Sequence, residues 1–166
     1  MLVEVKVFGL AMDPITNTPI VILKDLQGKR AIPIWIGLFE ASAIATQMEK
    51  INLARPMTHD LMNEMLKMLE VKVLQIVIND LKDNTFFATI HILKDDVPIT
   101  VDARPSDAIA LALRAGAPIF VDEKVVGKST NIDFGRKTAD LNKYTKEELE
   151  EFLENLSSED FGKYKM

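Results

Sequence analysis

Two short segments concentrate the side chains that could do chemistry. Asp102-Ala103-Arg104-Pro105-Ser106-Asp107 closes an apolar run and opens a helix. Arg55-Pro56-Met57-Thr58-His59-Asp60 states the same theme earlier in the chain. In both, an Arg-Pro step is followed by a hydroxyl and then an acid. Thr58 and Ser106 are expected as N-caps that accept bonds from free backbone N–H groups. Asp60 and Asp107 then fall in first turns, where the helix dipole favours negative charge. A cation at that end has the wrong sign. Arg55 and Arg104 therefore imply either ion pairs with carboxylates or capture of a phosphate at an anion-friendly helix start. On the phosphate reading, the binding set is Arg55, Arg104, Thr58 and Ser106.

Groups suited to hydrolysis lie around these segments. His59 sits between a cap and an acid, where it could serve as general base or acid. Glu40, Asp60, Asp102 and Asp107 supply carboxylates. Hard cations such as Mg²⁺ or Mn²⁺ take oxygen ligands, and they assist phosphodiester cleavage by activating water and stabilising the leaving oxygen. The expectation is that Glu40, Asp102 and Asp107 hold metal, while Glu40, His59, Asp60 and Asp107 carry the catalytic roles. The spacing matches no compact motif such as an EF-hand or HExxH, so the same residues also read as a network of ion pairs. No Gly-rich phosphate loop, nucleophile elbow or GxGxxG occurs, and no organic cofactor is expected. His91, on a strand face with Phe87, Thr89 and Leu93, reads as a core or edge histidine. Trp35 reads as a core anchor ahead of a base-stacking platform.

The helix that follows Arg104 is apolar almost all round. At about 100° per residue, Ala108, Leu111, Ala112 and Ala115 cover one side, and Ile109, Ala110 and Leu113 most of the rest. Asp107 and Arg114 share a narrow polar stripe. Such a helix is a buried one.

Upstream, Val3, Val5 and Val7 alternate with charges as a half-buried strand. Ile20–Leu23 and Ala31–Ile36 form a hairpin about Gln27-Gly28-Lys29. Leu38–Ile51 has helical periodicity with Glu40 in its first turn. A second helix, about Thr58–Leu69, carries an apolar face of Leu61, Met62, Met65, Leu66, Met68 and Leu69. Val71–Leu81, Thr85–Leu93 and Val97–Val101 read as an antiparallel meander, and Pro118–Val121 as a short strand. Glu123–Asp140 reads as a polar loop. Thr145-Lys146-Glu147-Glu148 is a capping box for a last helix, whose Leu149, Phe152, Leu153 and Leu156 share one stripe. The expected fold class is α+β: a mixed, largely antiparallel sheet with helices packed on it, plus a C-terminal helix. Residues 1–126 form the expected core domain, and 127–166 a polar loop and helical extension.

Composition narrows the function classes. The 166 residues carry a net charge of −5, so no global basic field advertises nucleic-acid binding, although a local patch is allowed. With no Cys there is no disulfide, thiolate chemistry or Cys-based zinc site, and two His cannot alone make a His-rich metal site. No segment approaches the ~18–20 continuous apolar residues of a membrane span. The start lacks the pattern of a secretory leader, and a cytoplasmic location is expected by elimination. Met48, Met57, Met62, Met65 and Met68 crowd the first two helices as adaptable core and candidate dimer contact. A homodimer is the default assembly, two-fold dimers being the commonest oligomers.

Three ordered motifs carry a resemblance: Ile34-Trp35-Ile36-Gly37-x-x-Glu40-Ala41, Arg55-Pro56-x-Thr58-His59-Asp60-Leu61, and Asp102-x-Arg104-Pro105-Ser106-Asp107-Ala108-Ile109-Ala110-Leu111-Ala112. Together they resemble the bifunctional nuclease domain family, stand-alone bacterial proteins with plant relatives. The match spans about Leu2–Val126 and leaves the C-terminal helix outside. The resemblance implies an α+β domain with nuclease activity on both RNA and DNA. The site residues named above rest on the three motifs, not on roles assigned in the family. The expected function is cleavage of RNA and DNA phosphodiester bonds with divalent-metal assistance. Its rivals are a non-catalytic module that binds an anion or nucleotide at the helix starts, and a structural oligomer in which the Arg and Asp residues are ion pairs.

Overall fold

The computed structural model describes residues 1–129, within which one seven-stranded sheet carries the fold. Its strands are β1 (Leu2–Met12), β2 (Pro19–Asp25), β3 (Ala31–Trp35), β4 (Lys72–Lys82), β5 (Thr85–Lys94), β6 (Val97–Ala103) and β7 (Ile119–Asp122), in the order β3-β2-β1-β7-β4-β5-β6. Every neighbouring pair is antiparallel except β4 with β7. The helices described are α1 (Leu38–Met48), α2 (Thr58–Met68), α3 (Pro105–Ala115) and α4 (Glu123–Ser129). This is the α+β class expected from the periodicities.

Local chemistry sets the meander. β4–β5 and β5–β6 are joined by the two-residue turns Asp83-Asn84 and Asp95-Asp96, all four residues having φ between 48° and 61°. Two-residue hairpins need positive φ at both positions to match strand twist, and Asn and Asp tolerate it best after Gly.

The topology explains α3. β6 lies at an edge while β7 lies mid-sheet, so the intervening chain must cross over β5 and β4. α3 makes that crossing, packed on β4 and β5 and flanked by α1 and α2. Every residue from Ala108 to Ala112 is fully buried or nearly so. The small side chains of Ala108, Ala110 and Ala112 let the helix approach the sheet closely. Gly116 ends it at φ 67°, the left-handed conformation that glycine enters without a Cβ clash.

Three expectations are corrected. First, the stretch from Glu123 opens with α4, not loop, because Val125, Val126 and Ser129 pack inward among polar neighbours. Second, neither Thr58 nor Ser106 caps its helix: the N-caps are Met57 and Arg104. Pro105, whose fixed φ suits the first helical position, starts α3 one residue earlier and moves Ser106 inside. In α2, Asp60 reaches back instead, its Oδ2 accepting the Met57 N–H at 3.0 Å. Third, the apolar arc of α2 is divided. Met62 and Leu66 pack on the core, but Leu61, Met65 and Met68 face outward while His59 and Asn63 are buried. The cause is the polar stripe of α3, which needs polar partners and turns that side of α2 inward. The capping box at Thr145 and the helix expected after it lie outside the described residues.

Candidate active site

The N-terminal ends of α1, α2 and α3 meet around a cavity of about 470 Å³, lined among others by Phe39, Glu40, Thr58, His59, Arg104 and Asp107. All three motifs therefore contribute to one place. Glu40 comes from the first turn of α1, and its carboxylate curls back over Gly37. A Cβ at Gly37 would run into Glu40 Oε2, which accounts for the glycine of the first motif.

The centre of the site is a chain of four side chains. His59 Nε2 lies 2.9 Å from Asp107 Oδ1, both groups largely sheltered, at 10% and 25% side-chain exposure. Arg104 Nε donates to Asp107 Oδ2 at 2.7 Å, and its Nη2 reaches Glu40 Oε1 at 2.9 Å. His59–Asp107–Arg104–Glu40 thus links residues scattered over α2, α3 and α1. An ionised carboxylate only accepts, so the Asp107 contact places the His59 proton on Nε2 and leaves Nδ1 as the acceptor nitrogen. Burial pushes the Asp107 carboxyl up, but the hydrogen bonds from Arg104 and His59 and the charge of Arg104 outweigh it and hold Asp107 below the ordinary carboxylate range.

A second network holds the helices in place. The Arg114 side chain, only 5% exposed, donates from Nε to Asp60 Oδ1 at 2.6 Å, from Nη1 to the Ala110 carbonyl and from Nη2 to the Ala43 carbonyl, both at 2.9 Å. One guanidinium so ties α3 to α2 and α1. Burial raises the Asp60 carboxyl, yet the Met57 N–H and Arg114 more than offset this and lower it. With both oxygens engaged, Asp60 is a structural clamp beside the site. Arg114 shares the polar stripe of α3 with Asp107, and the sequence alone gives it no role there. The available signal was that a single cation on an otherwise apolar helix needs a partner.

The structure does not bring in the remaining predicted residues. Asp102 stands on β6 opposite Thr89, and since Ala103 packs on the core, strand alternation points Asp102 to the other face of the sheet. Arg55 is exposed in the loop before α2 and does not line the cavity. Ser106 is buried within α3 and does not line it either. Among the described residues no three Asp, Glu or His side chains come together as a metal-holding group. Glu40 and Asp107 face one another across the Arg104 guanidinium, which occupies the position a bridging cation would need. The expected set of Glu40, Asp102 and Asp107 does not assemble. His91 contacts Thr89 Oγ1 at 3.2 Å, away from the cavity. Trp35 donates its indole N–H to Asp13 Oδ2 at 2.9 Å and packs beside Ala11, Ile20 and Ile22.

The model of the bifunctional nuclease domain matches residues 21–133, a span that contains all three motifs. Two uncharacterized proteins of Mycobacterium tuberculosis, one from strain CDC 1551 / Oshkosh and one from strain H37Rv, are each 36% identical over 162 residues. Those alignments cover 95% of this chain and 97% of each relative. No described helix is long and apolar enough to cross a membrane.

Proposed function

We propose, from the premise that the chain belongs to the bifunctional nuclease domain family, that it cleaves phosphodiester bonds of RNA and DNA in the cavity at the three helix starts. The observation that carries this reading is the His59–Asp107 pair. A histidine from one motif is oriented by a carboxylate from another, beside an arginine whose side chain is 67% exposed. In the reaction a water attacks phosphorus while His59 Nδ1 takes the water's proton. The bond from phosphorus to the leaving oxygen breaks on the opposite side, that oxygen takes a proton from solvent water, and His59 afterwards gives its proton back to solvent. Asp107 keeps the ring oriented and supports the imidazolium that forms. Arg104 presents its outer edge to the non-bridging oxygens, held in place by Glu40, and Thr58 adds a hydroxyl at the rim. No step is routed through a metal, because the carboxylates that would hold one are already joined by Arg104.

One observation favours the rival reading of a binding or structural module: each charged side chain at the cavity already has a protein partner. An assay on labelled RNA and DNA separates the two. With His59→Gln confirmed as folded, the nuclease reading expects a fall of about 10²–10⁴-fold in rate. Running both proteins with Mg²⁺, Mn²⁺ and EDTA adds a second result. Cleavage that needs a divalent ion would show that Glu40 and Asp107 release Arg104 to bind it. Absence of cleavage in the parent protein under every condition, with thermal stabilisation by nucleotide or phosphate, would establish the binding module instead.

A further inference from the structure

The two edges of the sheet are treated differently. β3 has Pro33 at its centre, its inner residues are buried, and α4 lies against it. These are devices that keep an edge from pairing. β6 also carries a proline, Pro98, near its start, but six of its seven residues are exposed and, among the described residues, no strand pairs with its outer edge. Val97, Ile99 and Val101 form a row that is between 42% and 57% exposed, on the face where Ile90 and Ile92 of β5 join the core. The C-terminal end of α2 comes near this row. Its last turn is placed there by Lys94 Nζ, which donates to the Leu69 carbonyl at 3.2 Å, Lys94 being the residue opposite Val97. Leu61 and Met65 of α2 and its C-cap Leu69 are between 50% and 57% exposed. Together the two rows expose six large apolar side chains.

We propose that this surface takes a second copy of the chain, β6 pairing antiparallel with β6 about a two-fold axis at Thr100 and the α2 rows closing over the seam. A free strand edge is completed by a strand, and an isologous pair satisfies both copies with one surface. The side chains select the register. An axis at Thr100 sets Val101 opposite Ile99 of the second copy and Val97 opposite Ala103, apolar against apolar on the helix side. It also sets Arg104 opposite Asp96 of the second copy at both ends of the seam. An axis at Ile99 would instead oppose Asp102 to Asp96, two like charges, and an axis at Val101 would leave Val97 beyond the paired strand. Assembly so places an acidic turn beside the Arg104 of each candidate site. The inference stands on the edge and its side chains and is independent of the nuclease reading.

The full chain, studied by sedimentation over a concentration series, is expected to show a dimer. Ile99→Lys, at an exposed position, should weaken self-association about tenfold or more with the circular dichroism and thermal unfolding retained. The chain lacks Cys, so single thiols report the axis. Thr100→Cys should form a disulfide-linked dimer on mild oxidation, and Pro98→Cys and Asp102→Cys should not. A monomer at every concentration overturns the proposal, and if its β6 amides are nonetheless protected from exchange, residues 130–166 become the occupant to test. A dimer indifferent to Ile99→Lys, or crosslinking that peaks away from Thr100, also overturns it.

Discussion

The two Arg-Pro helix starts use the same residue types and reach opposite outcomes. In Arg104-Pro105-Ser106-Asp107 the acid follows the arginine by three positions, proline occupies the first helical position, and the arginine itself becomes the N-cap. Arg104 and Asp107 then meet at 2.7 Å over the cavity. In Arg55-Pro56-Met57-Thr58-His59-Asp60 the acid follows by five. Proline falls before the N-cap, Arg55 stays in the loop, and Asp60 turns to Arg114 on α3. Of the two residues that the longer spacing inserts, Met57 becomes the N-cap and His59 faces Asp107. The spacing from arginine to acid, more than the presence of the motif, decides which arginine enters the site. One segment supplies a charge-paired arginine at the cavity, the other a histidine and the clamp beside it.

The largest structural effect is expected where the second segment is clamped. Arg114→Met leaves the Asp60 carboxylate and two backbone carbonyls without their donor. Asp60 keeps some solvent contact, so the expected loss is about 3 kcal/mol of stability rather than the upper end for buried pairs, read from the urea midpoint. A midpoint unchanged within error would show that the clamp is incidental.

A smaller, contrasting pair of effects separates the two arginines directly. Arg104→Gln should lower phosphodiester cleavage by about tenfold or more while costing about 0.5 kcal/mol or less in stability, since the side chain is mostly exposed. Arg55→Gln should change neither beyond a modest shift in salt dependence. Equal losses of cleavage in the two variants would contradict the asymmetry drawn from the spacing.

The smallest effect is on pH dependence. Asp60 and Asp107 both bind protons less readily in the folded chain than ordinary carboxyls do. Their contribution is therefore present above about pH 4, the unfolded carboxyl range, and is lost as pH falls through the lower folded values. Urea midpoints followed from about pH 6 to about pH 3 should drop, and Asp60→Asn should flatten that drop. A drop of the same size in the variant would assign acid sensitivity to other carboxyls.

Much of the fold was legible because it rests on local periodicity. The meander follows from alternation and from Asp-Asn and Asp-Asp turns, and the buried crossover helix from Asp107–Ala115 being apolar on nearly every side. The strand order was not legible, since nothing local tells β7 to insert between β1 and β4. Of the site, Glu40, His59, Arg104 and Asp107 were legible as three motifs that needed a common place. Asp102 was misjudged because strand alternation turns it away from its neighbours in sequence. Ser106 was misjudged because Pro105 shifts the helix start by one. The division of α2 was hidden because its own pattern favours an apolar inner face, and the polar stripe of a helix distant in sequence overrides it.

The central claim is that His59 and Asp107 act as one unit, and a double-mutant cycle tests it most directly. Cleavage rates would be measured for the parent chain, His59→Gln, Asp107→Asn and the double variant, each confirmed as folded. The account predicts that the double variant is scarcely slower than His59→Gln alone, because Asp107 works through the ring it orients. Two losses that multiply independently would contradict it and return the pair to the architecture of the helix starts.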